Sequence, residues 1–326
     1  MFNQRVAREL KVELEIISYA DLLDPANIQA TQTLKKALCE KGILGVCDVP
    51  DFENKSQAYI QAACQFSALR DEVKEQYAPD RDVGETEGYE LGAEWFKDQG
   101  DQWQVDDKKA SFYAVVPDHP KNKWPHEVDL KTAYQALGQL MFDTSKMVLQ
   151  FLGVNEAIGL AHAEISGYGR MLHYHQERDT RNLNPNWCGA HFDHGVFTGL
   201  MPAYYFSGGE EVDEPEEAGL YIFPTQGRNF EKIKAADKSI LLFQVGEFAQ
   251  LATHDQIRAT KHLVKKAKGN IERYTFALFN SAGKNTLIYP QSELTQDPRY
   301  FEYKQTDGGL LYGKWEQASY ARYRAL

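Results

Sequence analysis

The chain has 326 residues, enough for one large core or two ordinary domains. Hydrophobic residues make up 43% and charged residues 25%, an ordinary globular balance, and no stretch approaches membrane-spanning length. A net charge of −11 argues against a nucleic-acid partner, because binding phosphate needs a basic surface. The four cysteines, Cys39, Cys47, Cys64 and Cys188, form no C-x-x-C pair, so neither a zinc knuckle nor a redox motif is expected. The first residues carry no apolar signal core, and the expected location is the reducing cytoplasm.

Val12–Ser18 alternates and predicts a short strand. Thr31–Glu40 places Leu34, Ala37 and Leu38 at helical spacing, with Gly42 as the C-terminal cap. Ile43–Val49 returns to strand and Pro50 closes it. From Asn54 to Tyr77, apolar residues recur every three or four positions, which predicts one long amphipathic helix. Residues 78–127 are rich in Gly, Asp, Trp and Pro, a connection long enough to wrap the core or carry function. Within and near such loops, Tyr89, Trp95 and Arg181 are candidate pocket residues by position alone. A second long helix is expected over Asp129–Leu152, ended by Gly153.

Beyond it the texture changes to short strands: Gly169–His175, His191–Thr198, Gly219–Phe223, Ser239–Val245, His262–Val264 and Arg273–Phe279. Short strands with irregular links point to a sandwich, barrel or jelly roll. The acidic, Gly-rich run 207–217 reads as a mobile solvated insert with no catalytic role. Trp315–Arg324 suggests a final helix.

The chemistry centres on His191-Phe192-Asp193. In an extended segment, residues two apart face the same way, so one imidazole and one carboxylate converge. A third ligand must come from elsewhere, and His262 is the candidate. Two histidines and one carboxylate on one face of iron(II) leave the opposite face open. His194 makes the run H-x-D-H, which also resembles part of a metallo-β-lactamase-like signature. The first histidine of that signature falls on Gly189, and His194 points away from Asp193 in a strand. Arg273 and Thr275 share a strand face, with Tyr274, Phe276 and Leu278 opposite, and a buried arginine needs an anionic partner. His173 and His175 flank Tyr174 near the expected pocket.

The run from Gly246 to His262 resembles the iron(II)- and 2-oxoglutarate-dependent dioxygenases of the isopenicillin N synthase-like group. That group's H-x-D-x-G-x-x-T appears as His191, Asp193, Gly195 and Thr198, and its G-L-Q-V as Gly219-Leu-Tyr-Ile222. Its R-x-S is matched by Arg273-Tyr-Thr275, its R-x-x-x-Y by Arg170 to Tyr174, and its N-terminal L-x-x-A-C-x-x-x-G-F-F region by Leu34 to Val49. Departures are Glu247 for Asp, Ala249 for Leu, His254-Asp255 for Asn-Gly, and Leu263 for the usual Arg.

The resemblance implies a mainly β fold with flanking helices: a double-stranded β-helix (jelly roll) over residues 151–326, framed by an N-terminal helical region, 1–150. It further implies iron(II) on His191, Asp193 and His262, with 2-oxoglutarate as co-substrate held by Arg273, Thr275 and Tyr174. The expected reaction is oxidation of a small molecule by dioxygen, with release of succinate and CO2. Open alternatives are an oxidase of the same fold that needs no 2-oxoglutarate, a metal-dependent hydrolase and a non-catalytic binding protein.

Overall fold

The computed structural model describes residues 11–24, 26–92, 95–97, 103–105, 108–154, 165–175, 185–225, 227–233 and 237–323. In chain order the strands begin with Lys11–Val12 (β1), Ile16–Ser18 (β2), Ile43–Cys47 (β3), Gly88–Leu91 (β4), Trp95–Lys97 (β5), Trp103–Val105 (β6) and Lys109–Val116 (β7). Then come Ser166–Tyr174 (β8), Asn186–His191 (β9), Phe197–Leu200 (β10), Tyr204–Ser207 (β11), Glu210–Val212 (β12) and Gly219–Phe223 (β13). Glu231–Ile233 (β14), Leu241–Val245 (β15), Lys261–Lys265 (β16) and Glu272–Ser281 (β17) follow. The helices are Tyr19–Leu22 (α1), Ile28–Glu40 (α2), Phe52–Ser67 (α3), Asp71–Lys74 (α4), Leu130–Phe151 (α5), Glu247–Ala252 (α6), Pro298–Tyr303 (α7) and Tyr312–Tyr323 (α8).

The result is a mixed α/β fold. A large sheet runs β2-β3-β15-β10-β17-β8-β7-β4, with the β11–β12 hairpin attached to β17, and a smaller sheet runs β1-β14-β13-β16-β9. Pairing is antiparallel except for β2–β3 and β1–β14. Among the described residues no helix is long and apolar enough to cross a membrane.

Strand alternation divides β17 between two environments. Tyr274, Phe276 and Leu278 are buried against the helices, while Arg273, Thr275, Ala277 and Phe279 face a cavity between the sheets. Phe276 packs edge-on against Tyr59 of α3 (5.0 Å) and Tyr134 of α5 (4.8 Å). Helices α3 and α5 thus fix the back of the sheet whose front carries the site. Caps set the helix ends, and α2 starts three residues before the expected Thr31. Asn27 accepts from Ala30 N at the start of α2, Asp129 accepts from Thr132 N at the start of α5, and Gly42 (φ 70°) donates to Ala37 O.

Four expectations need correction. The predicted strand His191–Thr198 is two strands, β9 and β10, which belong to different sheets and are joined by a turn. The predicted helix Asn54–Tyr77 ends at Ser67, then resumes as α4 and a 3-10 turn, Glu75–Tyr77, because Arg70 is extended (ψ 147°). Residues 207–217 are not a free loop. Glu210–Val212 pairs with β11, Glu214 meets Lys232 at 2.7 Å, and Glu217 accepts from Lys268 N. Finally, the connection 78–127 contains β7, which pairs along its whole length with β8.

Phe276→Ala should lower stability by about 3–5 kcal/mol through loss of a wholly buried ring. It should leave metal affinity near wild type, since Phe276 faces away from the cavity. Urea unfolding and metal titration of the same protein check both halves.

Candidate metal centre

β9 ends on His191, and the chain then turns through Phe192–Val196 to enter β10 in the other sheet. Asp193 lies in that turn, and His262 reaches the same point from β16, where it pairs with His191 across the strands. One ligand atom from each of His191, Asp193 and His262 falls within 4.8 Å of the others. Asp193 Oδ1 is 3.7 Å from His191 Nε2 and 3.9 Å from His262 Nε2. The two side chains of H-x-D therefore converge by means of a turn, not by strand alternation.

The groups around the triad orient it. His191 Nδ1 lies 2.8 Å from Gly189 O, and His262 Nδ1 lies 2.9 Å from Thr260 O. With Nδ1–H donated to those carbonyls, each ring offers its Nε2 lone pair to a metal. The Thr198 hydroxyl donates to Asp193 Oδ2 at 2.7 Å, leaving Oδ1 toward the histidines. Burial opposes charge on Asp193, but His262, His191 and Thr198 outweigh it and hold the carboxyl below its usual value. Burial pushes His262 down to about 4, whereas at His191 the same burial is outweighed by Cys188 and Asp193, which raise it to about 9.

The turn is itself clamped. Gly246 passes so close to Gly195 that a Cβ would meet Gly195 O at 2.1 Å, so only glycine fits there. Glu247 N donates to Asp193 O (2.8 Å), and the Glu247 carboxylate forms a buried bidentate pair with Arg299 at 2.6 and 2.8 Å. Trp315 Nε1 donates to His194 O, and the His194 ring rests on Tyr320, away from the metal ligands. The departures His254-Asp255 form a tight left-handed turn. Both have positive φ, 53° and 63°, and Asp255 accepts from Gln250, Ser292 and Glu293.

Arg273 lies 7% exposed on the cavity wall. Its cross-strand neighbours are Tyr174 on β8 and Tyr205 on β11. Nε donates to Tyr205 Oη (3.3 Å), the guanidinium stands 5.0 Å from the Tyr174 ring, and Nη1 is buried without a partner. Among the described residues no carboxylate pairs with it. The neighbouring acid, Glu214, is engaged by Lys232 and Tyr205. The Thr275 hydroxyl lines the same wall and donates to Met201 O at 2.5 Å.

His191, Asp193, His262, Arg273, Thr275 and Tyr174 thus line one cavity. Tyr89, offered as a pocket residue, is instead a core side chain 2% exposed against Phe66. His173 is on the far face, stacked on Tyr274 (4.2 Å), because it alternates with Tyr174. The Trp95 side chain and Arg181 lie outside the described residues. Sequence reasoning missed Lys109, Cys188 and Gln244 on the cavity wall and the Glu247–Arg299 clamp. Strand alternation within Leu241–Val245 was the available signal for Gln244.

No family model matches the chain, and no curated protein matches it by sequence. Solved structures do. A putative 2OG-Fe(II) oxygenase family protein from Caulobacter crescentus matches with TM-score 0.69 at 18% identity, over 95% of this chain and 98% of its own. A full-length Neurospora crassa protein in complex with alpha-KG matches with TM-score 0.67 at 18% identity, over 96% and 99%. JOX2 in complex with 2OG, Fe and JA matches with TM-score 0.68 at 16% identity, over 96% and 87%. The likeness is distant but broad. It is a likeness of fold to the iron(II)/2-oxoglutarate oxygenases, and a two-histidine, one-carboxylate triad accompanies it here.

Asp193→Ala should weaken iron(II) or manganese(II) binding by well over a hundredfold while the protein stays folded. Thr198→Val, which removes only the hydrogen bond to Asp193, should cost about ten- to a hundredfold. Metal titration followed by circular dichroism reads both.

Proposed function

We propose that this chain is an iron(II)- and 2-oxoglutarate-dependent oxygenase acting on a small molecule. Its core would be a double-stranded β-helix spanning residues 151–326, framed by residues 1–150. The observation that carries the reading is the pairing of two features in one cavity. A His191/Asp193/His262 triad occurs with a buried arginine whose Nη1 has no partner among the described residues. An unpaired buried cation is costly, and a dicarboxylate co-substrate would supply the missing anion.

The residues fit that co-substrate. Arg273, held by Tyr205 and flanked by Tyr174, would take the distal carboxylate. Thr275 would add a hydrogen bond once its hydroxyl turns from Met201 O, and Tyr174 lines the same wall. His191, Asp193 and His262 would hold the metal on one face and leave the other to substrate and dioxygen. When bound, metal and co-substrate together supply the oxidising power, with 2-oxoglutarate as the source of two electrons. The walls between metal and arginine include Leu200, Leu242 and Val264, which exclude water from the reacting groups. Among the similar structures, the Neurospora crassa protein was also solved with alpha-KG and thymine, and JOX2 with 2OG and JA, which supports a small organic substrate here.

The test is anaerobic titration of the iron(II) protein with 2-oxoglutarate, read by its charge-transfer absorbance, then oxygen uptake and succinate release with substrate. Arg273→Ala breaks one side of a buried ion pair, a loss of about 3–5 kcal/mol. That corresponds to roughly a hundred- to a few-thousand-fold in 2-oxoglutarate affinity. Arg273→Lys should fall between Ala and wild type, since an ammonium cannot reproduce the planar fork. Iron(II) affinity should barely change. An Arg273→Ala protein that binds 2-oxoglutarate like wild type would favour the oxidase that needs no such co-substrate.

A further inference from the structure

Gln244 stands on the inner face of β15, opposite Thr198 of β10, whose own neighbour on the other side is Phe279 of β17. It is 1% exposed and lines the cavity, yet among the described residues neither its Nε2 nor its Oε1 has a hydrogen-bond partner. Among the described cavity-lining side chains, only Arg273 and Gln244 carry buried polar atoms left unmet. The two lie at opposite ends. Arg273 and Phe279 are six residues apart on β17, about 20 Å of extended chain, and Gln244 is level with Phe279. Thr198, between them, is the residue that orients Asp193, so Gln244 belongs to the metal end.

A buried carboxamide with both ends unmet destabilises a fold, and leucine would fill its volume without that loss. Its placement on the cavity wall points to a ligand. The side chain presents a donor and an acceptor side by side. A dicarboxylate offers acceptors only, and would satisfy Nε2 while turning negative charge toward Oε1. An edge carrying N–H and C=O together satisfies both atoms at once. We propose that Gln244 reads the primary substrate, and that this substrate is a small, uncharged molecule with an amide, lactam or imide edge. The inference rests on the oxygenase reading above. A carboxylate held instead by Lys109 of β7 or Arg170 of β8, farther along the same sheet, is the competing outcome.

The experiment uses the anaerobic iron(II) protein saturated with 2-oxoglutarate, titrated calorimetrically with uracil as the amide-edge probe and benzoate as the acceptor-only probe. Wild type should bind uracil in preference to benzoate. Gln244→Leu should bind uracil about ten- to a hundredfold more weakly, the loss expected for paired hydrogen bonds. Gln244→Glu, which keeps the shape and removes the amide donor, should weaken it too. Both variants should keep wild-type 2-oxoglutarate affinity, and ligand-free Gln244→Leu should melt above wild type. Three results would overturn the proposal: equal uracil affinity in wild type and Gln244→Leu, preference for benzoate, or no uracil binding by a protein that binds 2-oxoglutarate. A lower melting temperature for Gln244→Leu would also count against it, because it would mean that ordered water already satisfies the carboxamide. Failure of wild type to bind 2-oxoglutarate would instead overturn the oxygenase reading.

Discussion

A carboxylate kept charged where water is nearly absent is the constraint on which this structure depends. The Asp193 side chain is 10% exposed and sits where the chain passes from one sheet to the other. Burial by itself opposes its charge, and two histidines and a threonine hydroxyl delivered from separate strands offset that. That requirement accounts for the surroundings. Gly246 allows the next segment to pack directly on the turn, and Glu247 ties its backbone to Asp193. Arg299 then locks Glu247, and Arg299 itself stacks 4.4 Å from Trp315, whose indole bonds His194 O. The C-terminal segment thereby acts as a brace behind the metal ligands.

The cavity has two chemically different ends. At one, a guanidinium is flanked by two tyrosines that are its cross-strand neighbours, so its position follows from sheet register and not from a flexible loop. At the other, the triad is joined by a neutral carboxamide. The apolar side chains between them keep the dielectric low, which strengthens each polar contact with a ligand. The opposite face of the same strands is an aromatic layer closed by α3 and α5. One set of alternating residues therefore builds the core while the other builds the site.

Much of the site was legible because its signals are local. Residue type at fixed spacing identified His191, Asp193 and His262, and alternation on one strand separated Arg273 and Thr275 from Tyr274 and Phe276. Apolar spacing located α5 at Asp129, whereas it placed the start of α2 at Thr31 and missed the cap at Asn27. The same logic failed where a local pattern had two tertiary solutions. The apolar run through Tyr77 has helical spacing throughout, but the backbone turns at Arg70 to bring Tyr77 to Glu127. The acidic segment looked solvated because its charges had no partners in sequence. Lys232 and Lys268, which engage it, lie well downstream.

The sequence by itself picked out His191, Asp193 and His262 as a candidate triad, through residue type and a family resemblance, and set Arg273 and Thr275 on one strand face, because those depend on which atoms can serve as ligands. Tertiary structure alone decided that H-x-D spans a crossing between sheets and that, among the described residues, Arg273 meets no acidic partner and Gln244 is buried with both ends unmet. The physical reason is that ligand chemistry is a property of individual side chains. Burial and the satisfaction of polar atoms are properties of what folds around them.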